Sequence, residues 1–137
     1  RVNGRDWNKY FDSRLGKNRI GGSLSFLQYN TAVSETKCCL CFFSSWNEDN
    51  YTRRIFEIPA VGSLLVTKRT DEMLEIYDEE EAVYFSDFYE LREKLEFLLN
   101  SESAWQNILI RSQEKLFGSG HDIRSRMNEL LTKIAEL

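Results

Sequence analysis

Three charged residues within five positions, Arg53, Arg54 and Glu57, are the first feature of this sequence that suggests chemistry. Tyr51, Ile55 and Ile58 recur at helical spacing, and Phe56 and Ala60 widen the apolar stripe, so the spacing predicts a helix packed on one face. Two arginines near a helix N-terminus run against the macrodipole, which favours negative charge there. An anionic ligand such as a phosphate relieves that conflict. So does pairing of both arginines with Glu57 at i+4 and i+3 on a wet surface, although cation before anion is the weaker orientation. Exposed arginines on helices are common, so spacing alone favours the surface-pair reading.

The elements that must position these residues span Ser44 to Thr67. An apolar run, Cys38–Phe43, precedes a polar loop, the helix and a second apolar run, Leu64–Val66. That order makes a βαβ unit with a right-handed crossover. Ligands of open parallel sheets sit outside the carboxyl ends of the strands, the place occupied by Ser44–Asn50. Ser44, Ser45 and Asn47 are loop groups able to touch a phosphate or a sugar. Asn47, Asp49 and Asn50 are candidate N-caps. Pro59 predicts a kink or a stop, and Gly62 the turn into the next strand.

The run Arg54-Ile55-Phe56-Glu57-Ile58-Pro59-Ala60-Val61-Gly62, followed by Leu64-Leu65-Val66-Thr67, resembles the R-x-F-E-x-P-A-x-G segment of the spore-maturation CgeB-like glycosyltransferases. Those are retaining enzymes of the GT-B fold, and the segment lies in their carboxyl-terminal, donor-binding half. The resemblance implies an acidic–x7–Glu pattern whose second Glu holds the donor ribose hydroxyls and whose first acidic group contacts the sugar. Glu57 falls on the second position, and Asp49, an Asp in place of Glu, falls on the first. Arg54 matches the family arginine, implying a diphosphate or structural partner, with Arg53 beside it. Gly4 to Trp7 stand where similar proteins have a G-x-x-W turn after a second strand, which implies that the first strand, the first helix and most of the second strand are missing. The resemblance extends in the same order to about Glu129.

The 137 residues suit one domain with a real core, residues 1–137, closed by helices from about 102 to 137. Apolar residues make up 42% and charged residues 29%, as in ordinary globular proteins. A net charge of −4 argues against nucleic acid, because no basic face is large enough to neutralise several phosphates. No apolar run approaches the roughly twenty residues that span a bilayer, and no secretory signal is evident. Cys38, Cys39 and Cys41 share one strand and are poor disulfide partners, so they read as free thiols in a reducing, cytoplasmic compartment. No metal is predicted, since His121 is the only histidine and lies far from the cysteines.

Along the rest of the chain, Ile20–Leu24 reads as a strand end and a turn, its paired glycines matching no phosphate-loop pattern. Ser25–Thr36 reads as a helix with Phe26, Tyr29, Ala32 and Val33 on one side, and Lys37–Phe43 as a strand buried on both faces. Thr70 caps a helix to about Tyr77, and Asp78–Glu81 is a solvated acidic turn. Ala82–Phe85 is a strand. Asp87 and Glu90 form a capping box for a helix to Leu99, with Phe88, Leu91, Leu95 and Leu98 facing the sheet. Helices over Glu102–Phe117 and His121–Leu137 follow, the last with Met127, Leu130, Leu131 and Ile134 in a stripe. His121 reads as a capping or surface residue.

The expected fold is therefore a Rossmann-like three-layer α/β domain with a mostly parallel sheet of about four strands, the carboxyl-terminal half of a GT-B fold truncated at its start. The resemblance implies a nucleotide-sugar as substrate, no cofactor, and an amino-terminal acceptor domain of the same protein as partner. On that reading the chain alone turns over little or no substrate, and an uncovered sheet edge favours self-association. The alternative is a non-enzymatic interaction module on a transferase-derived fold. A phosphorylatable receiver domain needs an acidic pair after its first strand and an Asp ending its third, and neither is present.

Overall fold

The computed structural model describes residues 2–3, 20–44 and 50–136. It divides into two compact units, residues 1–32 and 33–137. Gly4 to Trp7 and the loop residues Ser45, Asn47 and Asp49 lie outside the described residues.

In the first unit, β1 (Val2–Asn3) pairs in parallel with β2 (Ile20–Gly21). Helix α1 (Phe26–Ser34) opens with Ser25 and Gln28 bonding each other's backbone amides, a capping box. It is shorter than expected, and Phe26 is exposed rather than packed.

The second unit holds a three-stranded parallel sheet in the order β3 (Cys38–Cys41), β4 (Leu64–Lys68), β5 (Val83–Phe85). About four strands were expected in one sheet. Three pair here, and the other two described strands, β1 and β2, form their own two-residue pair. Leu64, Leu65, Val66 and Thr67 of β4 are all buried, because the central strand is covered on both faces. β3 lies at an edge, and Leu40 is 47% exposed there, against the expected burial.

Side chains alternate across the sheet. Leu64, Val66, Val83 and Phe85 form one core with Leu98, Leu91 and Leu95 of α4 (Phe88–Asn100). Phe88, expected in that core, is exposed at the first helical position. On the opposite face stand α2 (Arg54–Ala60) and α3 (Asp71–Ile76). There the Tyr84 hydroxyl meets the carbonyls of Met73 and Tyr77 at 3.0 and 2.6 Å. Local sequence fixes these helices at their ends. The Thr70 hydroxyl accepts from the Met73 amide, and Asp87 accepts from the amides of Tyr89 and Glu90.

Helix α5 (Glu102–Gly118) runs along the amino edge of the sheet. Glu102 pairs with Lys37, and the Trp105 indole donates to the Lys37 carbonyl at 2.7 Å, just before β3. Arg111 and Lys115 pair with Glu80 and Glu81, just before β5. Gln113 donates to the Pro59 carbonyl at the end of α2. The acidic turn is thus tied down rather than merely solvated. Helix α6 (Ile123–Ala135) begins at Asp122, whose carboxylate accepts from the Ser125 amide, and buries none of its residues. No helix among the described residues is long and apolar enough to cross a membrane.

Candidate functional site

The carboxyl edge of the sheet lies at the end opposite α5. The residues that reach it are Phe42 to Ser44 after β3, Asn50 to Arg54 before and at the start of α2, Lys68 to Thr70 after β4, and Ser86 to Phe88 after β5.

Helix α2 starts three residues later than the apolar spacing implied. Tyr51 stays outside it and exposed, whereas Ile55 and Ile58 are buried as predicted. Asn50 is not its cap. Its side-chain amide donates to Glu72 at 2.7 Å. The N-cap position falls to Arg53, which makes no side-chain cap bond, and the Arg54 amide reaches the Thr52 hydroxyl at 3.4 Å. Pro59 lies in the last turn, where the helix stops. Gly62 then takes φ +89°, a left-handed conformation that glycine adopts without strain. The turn role of Gly62 is as expected.

Arg53 pairs with Glu57 through Nε and Oε1 at 3.2 Å. The arginine side chain is 87% exposed while the carboxylate is 32% exposed. Arg54 does not join that pair. It is exposed and has no ion-pair partner among the described residues. Its charge does act on Cys41, at the carboxyl end of β3. Burial pushes the Cys41 thiol up, opposed by a contact with the Thr52 hydroxyl and by Arg54. Burial also pushes Cys38 up to about 11 and raises Cys39. Neutral thiols are poor nucleophiles and poor metal ligands. Ser44 is half-buried beside this end of the sheet.

The structure thus brings Glu57, Arg53 and Arg54 to the N-cap and first turn of α2. Sequence reasoning missed one neighbour. Lys68 ends β4, exposed and without an ion pair among the described residues, while Arg69 is held by Glu79. The signal was present: Lys68 is the first charge after four residues of an otherwise buried strand. His121, expected to cap or sit at the surface, precedes the capping Asp122 and stacks on Phe56 of α2 with ring centroids 4.8 Å apart. Arg126 donates to its Nδ1 at 2.7 Å. Among the described residues no group of three or more His, Cys, Asp or Glu side chains could hold a metal ion.

Concave features lie away from these residues. A shallow cavity of about 170 Å³ sits between β5 and α4, lined by Glu79, Tyr84, Lys94, Phe97, Leu98 and Ile108 among others. Another, of about 310 Å³, is lined by Glu79, Glu80, Asn107 and Arg111 among others.

A parallel sheet with helices on both faces makes this a Rossmann-like α/β layer. The family model described as glycosyl transferase-like matches residues 1–132, and the chain belongs to that family. No curated protein and no solved structure matches the chain.

Proposed function

We propose that this chain is the donor-binding half of a retaining, CgeB-like glycosyltransferase that transfers a sugar from a nucleotide-sugar to an acceptor. The observation that carries the reading is Glu57. Its carboxylate is two-thirds shielded in the first turn of α2, and its only ion-pair partner among the described residues is a solvent-exposed arginine. Two ribose hydroxyls donating to that carboxylate would replace the Arg53 contact at little cost, because an exposed ion pair contributes at most about 1 kcal/mol.

Arg54, joined by Arg53 once Glu57 is engaged, supplies positive charge for the diphosphate. That charge matters most as the glycosidic bond breaks and the leaving group takes up the electron pair. Ser44, Ser45, Asn47 and Asp49 are the loop groups proposed to meet sugar or phosphate. The acceptor and the rest of the cleft belong to an amino-terminal half of the same protein, so turnover by this chain alone is little or none. Sugar transfer needs no metal or other cofactor from these residues.

A second reading, an interaction module without donor binding, is favoured by α6. Ile123, Met127, Leu130, Leu131 and Ile134 leave that helix an uncovered apolar stripe. A panel of nucleotides and nucleotide-sugars in a thermal-shift assay separates the two. A donor-binding domain melts higher with its ligand, by the linkage of binding to folding, whereas a module without a donor site melts at one temperature throughout.

A further inference from the structure

Helix α6 is held to the rest of its unit by little. None of its residues is buried, and Ser125 alone is half-buried. It follows α5 through Gly118-Ser119-Gly120, where Gly120 takes φ +64°, a left-handed conformation open to glycine. Its segment meets α2 through the ring of His121, stacked on Phe56 with centroids 4.8 Å apart and planes tilted by 37°.

The protonation state of His121 bears directly on that contact. Arg126 reaches Nδ1 at 2.7 Å, and a guanidinium is a donor with no lone pair to offer. Nδ1 is therefore the acceptor, and the neutral ring carries its proton on Nε2. Arg126 is fixed on its other side by Glu129 at 2.9 Å. From α5, Lys115 acts on the ring as a second cation. Asp122, next in the chain, is engaged by the amide and the hydroxyl of Ser125. Helix α2 turns Phe56 to the ring; of its charges, Arg53 and Glu57 pair with each other, and Arg54 is one more cation.

A proton on Nδ1 would thus face a guanidinium, with no carboxylate among the described groups that act on the ring. A charged imidazole would gain from facing Phe56. Loss of the Arg126 bond, the two cations and burial all oppose that gain.

We propose that His121 is a pH-sensitive latch: neutral and oriented by Arg126 against Phe56, it ties α6 to the helix that carries Glu57, and protonated it lets α6 swing away about Gly120. One proton passes from solvent to Nδ1, and no bond between residues other than the hydrogen bond from Arg126 breaks. The latch is independent of what Glu57 binds, so it stands or falls apart from the donor-binding reading.

His121 is the only histidine of the chain, so its ring gives a single set of NMR signals to titrate. The midpoint is expected below the ordinary 6.5. Amide hydrogen exchange, corrected for its intrinsic pH dependence, is expected to show α6 losing protection roughly tenfold or more as the pH falls through that midpoint, while α4 keeps its own. His121→Phe keeps a ring on Phe56 that no proton can charge, and its α6 is expected to stay equally protected over the whole range. Arg126→Gln is expected to raise the midpoint toward 6.5. A wild-type midpoint at or above 6.5, α6 protection that is the same on both sides of it, a loss shared by α4, or the same acid loss in His121→Phe overturns the latch. An unmoved midpoint in Arg126→Gln overturns the part given to Arg126.

Discussion

The two edges of the three-stranded sheet are built on opposite terms. At the amino edge the charges are spent on one another. Lys37 with Glu102, Arg111 with Glu80 and Lys115 with Glu81 bind α5 to the strand starts, and Trp105 and Gln113 add bonds to backbone carbonyls. At the carboxyl edge Arg54 and Lys68 stand without counter-ions among the described residues, and Glu57 is held only by an exposed arginine. Paired charge next to a covering helix is how a fold is held. Unpaired charge at an open edge gives no stability and is available to a ligand. The difference teaches where to expect stability to be lost and where to expect binding to be lost.

The largest expected effect lies at the closed edge. Trp105→Ala removes a ring that packs against the main core, donates to Lys37 and lies 5.5 Å beneath its ammonium. Unfolding in urea is expected to show a loss of about 3 kcal/mol. A loss under 1 kcal/mol would break the claim that α5 holds that edge.

Two tyrosines on the α3 face sharpen the contrast between paired and unpaired groups. The Tyr84 hydroxyl meets two carbonyls, whereas the buried Tyr77 hydroxyl has no partner among the described residues. Tyr84→Phe is expected to cost about 1–2 kcal/mol, and Tyr77→Phe to be neutral or stabilising by up to about 1 kcal/mol. Equal costs for the two would contradict this assignment. Burial raises the pKa of both phenols, with nearby acidic groups adding to it. The folded state therefore favours the neutral phenols, and stability present below their ordinary pKa of 10.0 is lost as pH rises beyond it.

A smaller effect links α6 to α2. Burial, then the charges of Arg126 and Lys115, lowers the His121 pKa below its ordinary 6.5. The folded state then binds fewer protons than the unfolded state just below pH 6.5, so stability falls as the pH drops through that value toward the lowered one. Replacing His121 with Gln should flatten that part of a melting-temperature profile. An unchanged slope would remove the histidine as its cause.

The smallest stability effects are expected where binding is lost most. Arg54→Met should change stability by less than about 0.5 kcal/mol, as exposed residues do, while weakening diphosphate binding. Destabilisation beyond about 1 kcal/mol would make it structural and erase the contrast between the edges.

Much of this arrangement was legible in the sequence because local rules carry it. Thr70 and Asp87 announce their helices as caps, Gly62 announces its left-handed turn, and the buried run Leu64–Thr67 announces a central strand. The parallel α/β layering followed from the alternation of those elements. What was not legible depends on tertiary context. Apolar spacing put Tyr51 in α2 and Phe88 in the core, yet both are exposed, because periodicity names a face without saying what covers it. Nothing local tells Asn50 to reach Glu72 instead of capping, or tells Arg53 to pair with Glu57 while Arg54 does not.

The central claim, that Glu57 is a ligand-facing carboxylate, is tested most directly by isothermal titration of nucleotide-sugars into wild-type protein and Glu57→Gln. The account predicts saturable binding for one nucleotide class, weakened roughly tenfold or more in the variant through loss of charge-assisted bonds to the ribose. Equal affinity in the two proteins would contradict it.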